Sequence, residues 1–131
     1  MYSMIGVLMI NGICIRNIKM DFEFNMKNNI GIIKPKGNLD AASAKRFKTS
    51  FDHFLERTNC FVFDFSNVKF IDSSGLGVLI SCMKKSGRLD GDIYIANLQS
   101  NPKVLFEITK ADRIFEMYDN VEAAIDKFFS K

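Results

Sequence analysis

The chain has 131 residues, 47% of them hydrophobic and 25% charged, with a formal net charge of +3. That length suits one domain around a single core, and the balance is ordinary for a globular protein. Two of the positive charges, Arg16 and Lys19, lie in an atypical first segment, so no basic stripe marks a nucleic-acid partner.

Phenylalanine is abundant (13) and tryptophan absent, so a phenylalanine-rich core is expected. Cys14, Cys60 and Cys82 lack metal-ligand spacing and read as reduced cytosolic thiols, two of them in the core. His53 is the single histidine, which excludes a histidine-based triad or a multi-histidine metal site built from this chain alone.

In chain order, residues 1–20 differ from the rest. Met4 to Ile15 is apolar, but Gly6, Asn11 and Gly12 interrupt it and it is too short to span a bilayer. With no basic residue ahead of it and no clear small-residue cleavage site, it is a poor signal peptide. The expectation is an N-terminal extension of 1–20, with Met20 as an alternative start, ahead of a domain over 21–131. An additional strand or helix packed on the domain is the competing reading.

From Asp21, the alternation of Phe22, Phe24 and Met26 predicts a first strand. Lys27-Asn28-Asn29 is turn-like and joins it as a hairpin to Ile30–Lys34, which Pro35 and Gly37 are expected to end. Asp40 is a good N-cap for a helix whose stripe is Ala44, Phe47, Phe51, Phe54 and Leu55, ending near Thr58-Asn59. Cys60 to Phe65 is a short apolar run suited to a central strand covered on both faces. Asp64 interrupts it, and such a carboxylate needs hydrogen-bond donors or an exposed strand end. A structural acceptor for loop amides is the favoured reading.

Leu76, Leu79, Ile80 and Met83 form the apolar face of a second helix, with Lys84, Lys85 and Arg88 at its C-terminal end and Gly87 as C-cap. Asp92–Leu98 reads as a further strand. Asn101 before Pro102 opens a short third helix marked by Val104, Leu105 and Ile108. Ile114–Tyr118 is expected as a short edge strand. Asp119 and Glu122 have capping-box spacing ahead of a last helix with the stripe Val121, Ala124, Ile125 and Phe128. Alternating strands and helices after Gly37 imply βαβ crossovers. The expected class is α/β, a mixed sheet of about five strands with about four helices packed on it and an N-terminal hairpin.

The most informative stretch is Val68-Lys69-Phe70-Ile71-Asp72-Ser73-Ser74-Gly75-Leu76-Gly77. Asp72 and Ser73 occupy helix-capping positions, where side-chain oxygens accept first-turn amides. Gly75 and Gly77 follow, although glycine there costs about 0.8–1.0 kcal/mol each relative to alanine. Close approach of another backbone or of another protein would account for them.

This stretch resembles the signature of the STAS domain, the sulfate transporter and anti-sigma factor antagonist family, and the order of elements fits from Asp21 to Phe129. In the bacterial antagonists the first serine after the aspartate is the regulatory one, which implies Ser73 as the phosphorylation site, with Ser74 as the alternative acceptor. The resemblance implies an anti-sigma factor antagonist. Unmodified, it would bind an anti-sigma factor serine kinase; phosphorylated, it would release it, and a serine phosphatase would restore it. The implied contact surface is Asn38, Asp40, Asp72, Ser73, Ser74, Gly75, Leu76 and Gly77. Asp64 matches an aspartate common in STAS strands just before the signature.

No catalytic residues, metal site or cofactor are expected, and neither a P-loop nor a dinucleotide glycine signature is present. A cytoplasmic protein without direct nucleic-acid contact or membrane insertion follows. The alternative is a non-phosphorylated STAS subunit of a larger assembly, such as a lipid-transport ATPase complex.

Overall fold

The computed structural model describes residues 8–10, 13–15 and 21–130. Two short strands, β1 (Leu8–Ile10) and β2 (Ile13–Ile15), pair antiparallel as a separate sheet. The rest of the expected extension lies outside the described residues.

A six-stranded sheet carries the fold. It opens with the expected hairpin, β3 (Asp21–Lys27) antiparallel to β4 (Ile30–Leu39). Asn28 and Asn29 close it at φ of 54° and 67°, the left-handed pair that a two-residue hairpin turn requires and asparagine tolerates. Strand β4 runs past both expected terminators. Pro35 falls between the last rung to β5 (Cys60–Asp64), Ile33–Phe63, and the first to β6 (Asn67–Ile71), Lys36–Asn67. Its missing N–H costs no rung to either parallel neighbour. Gly37, at φ 115°, lies at an irregularity within the β4–β6 ladder, whose register shifts between Lys36 and Asn38. Strand β6 is the sixth strand, not counted separately in the expected five.

Helix α1 (Ala41–Phe54) follows β4, α2 (Ser73–Arg88) follows β6, and β7 (Asp92–Ala96) pairs parallel with β5. Helix α3 (Ser100–Thr109) leads through a short 3-10 turn to β8 (Glu116–Tyr118), an edge strand parallel to β7, and α4 (Val121–Phe129) ends the fold. Side chains from α1, α2 and α3 share one core with Phe22, Phe24, Phe61 and Phe63 on one sheet face. Among the described residues, helix α4 packs alone on the other, against Ile30, Val62, Tyr94 and Ala96. The aromatic core includes Phe24 stacked on Phe54 at 4.1 Å and Phe47 edge-on to Phe63 at 5.5 Å.

Several helix ends differ from expectation. Helix α1 stops at Phe54, because tight turns take over at Glu56 and Arg57 and the Thr58 hydroxyl donates to the Asn29 carbonyl at 2.7 Å. Gly87 lies inside α2, and the left-handed residue after it is Asp90, at φ 61°. Helix α3 starts two residues early with Gln99 as N-cap, and it buries Pro102 and Phe106 while Val104 and Ile108 face solvent. Helix α4 is capped by Asn120, not Asp119, through the Ala123 amide at 2.8 Å.

Candidate functional site

Strands β4 and β6 are parallel neighbours that finish together, with Leu39 opposite Ile71. Each is followed at once by an aspartate and then by a helix. Two strand-to-helix junctions, Leu39-Asp40-Ala41 and Ile71-Asp72-Ser73, therefore lie side by side. This brings Asn38 and Asp40 next to the signature, although more than thirty residues separate them in sequence.

At the first junction Asp40 caps α1, its carboxylate accepting the amides of Ala42 (3.1 Å) and Ser43 (3.2 Å). The Ser43 hydroxyl accepts the Asp40 amide at 3.1 Å and donates to the Asn38 carbonyl at 2.8 Å, closing a capping box and tying Asn38 into it. At the second, Asp72 is the N-cap and Ser73 the first helical residue. The Asp72 carboxylate accepts the Gly75 amide at 2.9 Å.

The expected site residues divide into three groups by exposure. Asn38, Ser73, Ser74 and Gly77 are exposed, Asp40 and Asp72 are half-buried, and Gly75 and Leu76 are buried. The two glycines answer different demands. A Cβ on Gly75 would stand 2.1 Å from the Leu39 carbonyl oxygen, so glycine lets α2 approach β4. A Cβ on Gly77 would meet nothing within 4 Å. Gly75 and Leu76 therefore support the surface from beneath, while Gly77 leaves it flat beside Ser73 and Ser74.

Asp64, 8% exposed at the end of β5, accepts the Ser66 amide at 3.1 Å and the Asn97 side-chain amide at 3.0 Å. Its part is that of an acceptor that fixes the loop leading to β6. His53 is half-buried and 3.8 Å from a Glu56 carboxylate oxygen. Cys82 is buried and Cys60 half-buried. Burial pushes the Cys82 thiol up to about 12.

Among the described residues, no group of three or more His, Cys, Asp or Glu side chains is placed to hold a metal ion. No described helix is long and apolar enough to cross a membrane. An open cleft of about 440 Å³, lined by Asn97, Gln99, Lys103, Tyr118 and Asp119 among others, includes none of the signature residues.

Residues 21–124 match the family profile described as the STAS domain. An anti-sigma F factor antagonist of Paenibacillus polymyxa is 26% identical over 105 residues, covering 77% of this chain and 90% of that one. The crystal structure of tm1081 from Thermotoga maritima superposes with a TM-score of 0.77 at 27% identity, covering 81% of this chain and 92% of that one. The anti-sigma factor antagonist SpoIIAA in its unphosphorylated form has the same fold, with a TM-score of 0.65 at 21% identity, covering 84% of this chain and 99% of that one.

Proposed function

The chain belongs to the STAS domain family, and we propose that it works there as an anti-sigma factor antagonist, a protein-binding switch thrown by phosphorylation of Ser73. Its role is regulatory and its partner an anti-sigma factor, in keeping with the names of its relatives. In the finer reading that partner is a serine kinase, sequestered in the cytoplasm while Ser73 is unmodified and released once it is phosphorylated, and a serine phosphatase resets the cycle. The docking surface is formed by Asn38, Asp40, Asp72, Ser73, Ser74 and Gly77, with Gly75 and Leu76 beneath it.

One observation carries the reading. The Ser73 side chain is exposed at the mouth of α2, beside the first turn of α1, where both an enzyme and a docked protein can reach it. In the reaction the Ser73 Oγ attacks the γ-phosphorus of ATP bound by the partner. A bond from Oγ to phosphorus forms, the bond to the bridging oxygen of ADP breaks, and the hydroxyl proton passes to a base of the kinase. The product gains about −1.5 to −2 charges at neutral pH. Free amides and the helix dipole favour an anion at that end of a helix. The fold therefore tolerates the modification, and its cost falls on the interface. A hundredfold loss of affinity requires about 2.7 kcal/mol, within reach of one desolvated dianion.

The deciding experiment incubates the protein with the anti-sigma kinase encoded in the same organism and ATP, then locates the phosphate by mass spectrometry. Ser73→Ala is expected to keep kinase binding and take up no phosphate, and Ser73→Asp to bind more weakly. Phosphate found on Ser74 with Ser73 untouched would overturn the assignment. Recovery of a transport ATPase or permease in a pull-down, in place of a kinase, would favour the subunit role instead.

A further inference from the structure

The Asp72 carboxylate serves both helix starts. One oxygen accepts the Gly75 amide of its own helix at 2.9 Å, and the other accepts the Ala41 amide of α1 at 3.3 Å. Asp40 engages the amides of Ala42 and Ser43, which leaves that of Ala41 to be met from the neighbouring junction. A backbone bond reinforces the link, the Asp72 amide donating to the Leu39 carbonyl at 3.2 Å. The placement of the exposed residues Ala41 and Ala42 thus depends on a side chain next to Ser73.

We propose that Asp72 is a positioning residue that joins the two halves of the docking surface, and that a phosphate on Ser73 breaks the joint. The second half of this rests on the phosphorylation reading above; the bridge itself does not. A phosphoryl group on Ser73 sets a second anion beside the Asp72 carboxylate; it competes for the same few first-turn amides of α2 and repels the carboxylate, displacing it from its place between the two helix starts. The dianion is the stronger competitor at a helix mouth. Of the two bonds the Asp72 carboxylate accepts, the one from Ala41 is the longer and joins separate elements, so it is lost first. Modification at one helix start is then felt at the other, and the partner loses both contact regions while the core stays as it was.

The test is amide-resolved NMR on the full chain. Asp72→Asn keeps a carbonyl oxygen for Gly75 but turns an NH2 donor toward the Ala41 amide, which needs an acceptor. Solvent exchange of the Ala41 amide is expected to rise about tenfold in Asp72→Asn, the equivalent of one lost hydrogen bond, with the Gly75 amide little changed. Asp72→Ser, which retains a capping hydroxyl without a second oxygen, should show the same pattern if the first variant folds poorly. Phosphoserine installed genetically at position 73, without recourse to any kinase, is expected to shift the Ala41 amide resonance in the direction seen for Asp72→Asn. Unaltered Ala41 exchange in the Asp72 variants overturns the bridge. A loosened Ala41 in the variants with no response to phosphoserine overturns the coupling. Failure of the kinase to modify Ser73 would count against the proposed function and leave these measurements intact.

Discussion

At the scale of single residues, Gly75 and Gly77 stand two positions apart in one helical turn and answer to different constraints. At position 75 the obstacle to a side chain is a backbone carbonyl, which cannot swing aside. Gly75→Ala is therefore expected to destabilise the protein by about 2–4 kcal/mol through overpacking and displacement of α2. Gly77 has open space, so Gly77→Ala should raise stability by up to about 1 kcal/mol through helix propensity. Denaturant unfolding of the two variants checks both signs. Cys82 gives a prediction about pH. Burial raises its thiol from 9.0 to about 12, so in that window the folded protein keeps a proton that the unfolded chain has lost. Its contribution to stability is complete below pH 9 and falls as pH rises toward 12, by up to about 1.4 kcal/mol per unit. The stability deficit of Cys82→Ala relative to the parent should accordingly shrink between pH 9 and pH 11, as read by urea midpoints. The same burial makes Cys82 the slower of Cys60 and Cys82 to react with a thiol reagent at pH 8.

At the scale of elements, the two strand-to-helix junctions follow one pattern: a strand ending in an apolar residue, an aspartate cap, then a helix start with small exposed side chains. Caps were partly legible. Asp40 and Asp72 are where capping chemistry puts them, whereas the cap of α4 moved by one residue, to Asn120. Neighbouring Asp and Asn residues compete on nearly equal terms, and here the Asn120 side chain is the one that accepts a first-turn amide. Asn120→Ala is expected to cost about 1 kcal/mol and Asp119→Ala much less, measured by thermal unfolding. Strand β4 shows the opposite case. Proline and glycine normally end a strand, yet here Pro35 sits between the two parallel ladders and Gly37 takes up a register shift within the second of them. The apolar residues of α3 misled for a related reason. Val104 and Ile108 recur at helical spacing, but the helix is rotated so that Pro102 and Phe106 face the core.

At the scale of the whole molecule, the described residues cover one face of the sheet with three helices and the other with one, and the candidate switch lies at one end of the sheet, outside the aromatic core. Since that end is solvated and its helix mouths accept anions, phosphorylation of Ser73 is expected to leave the fold intact. The melting temperature should stay within about 2–4 °C, corresponding to less than about 1 kcal/mol, and the far-UV spectrum should be unchanged. A shift much beyond that would place Ser73 in the core energetics. The hairpin, the Phe-rich core, the order of elements and the Asp-Ser-Ser-Gly-Leu-Gly signature were all determined by local sequence. Turn chemistry, hydrophobic period and capping each act within a few residues of the chain. The tertiary structure alone decided that Leu39 ends level with Ile71, that Gly75 meets a carbonyl of another strand, and that the Asp72 carboxylate reaches the Ala41 amide. Those depend on the register between strands distant in sequence, which is set by the packing of the whole core and leaves no local mark on the chain.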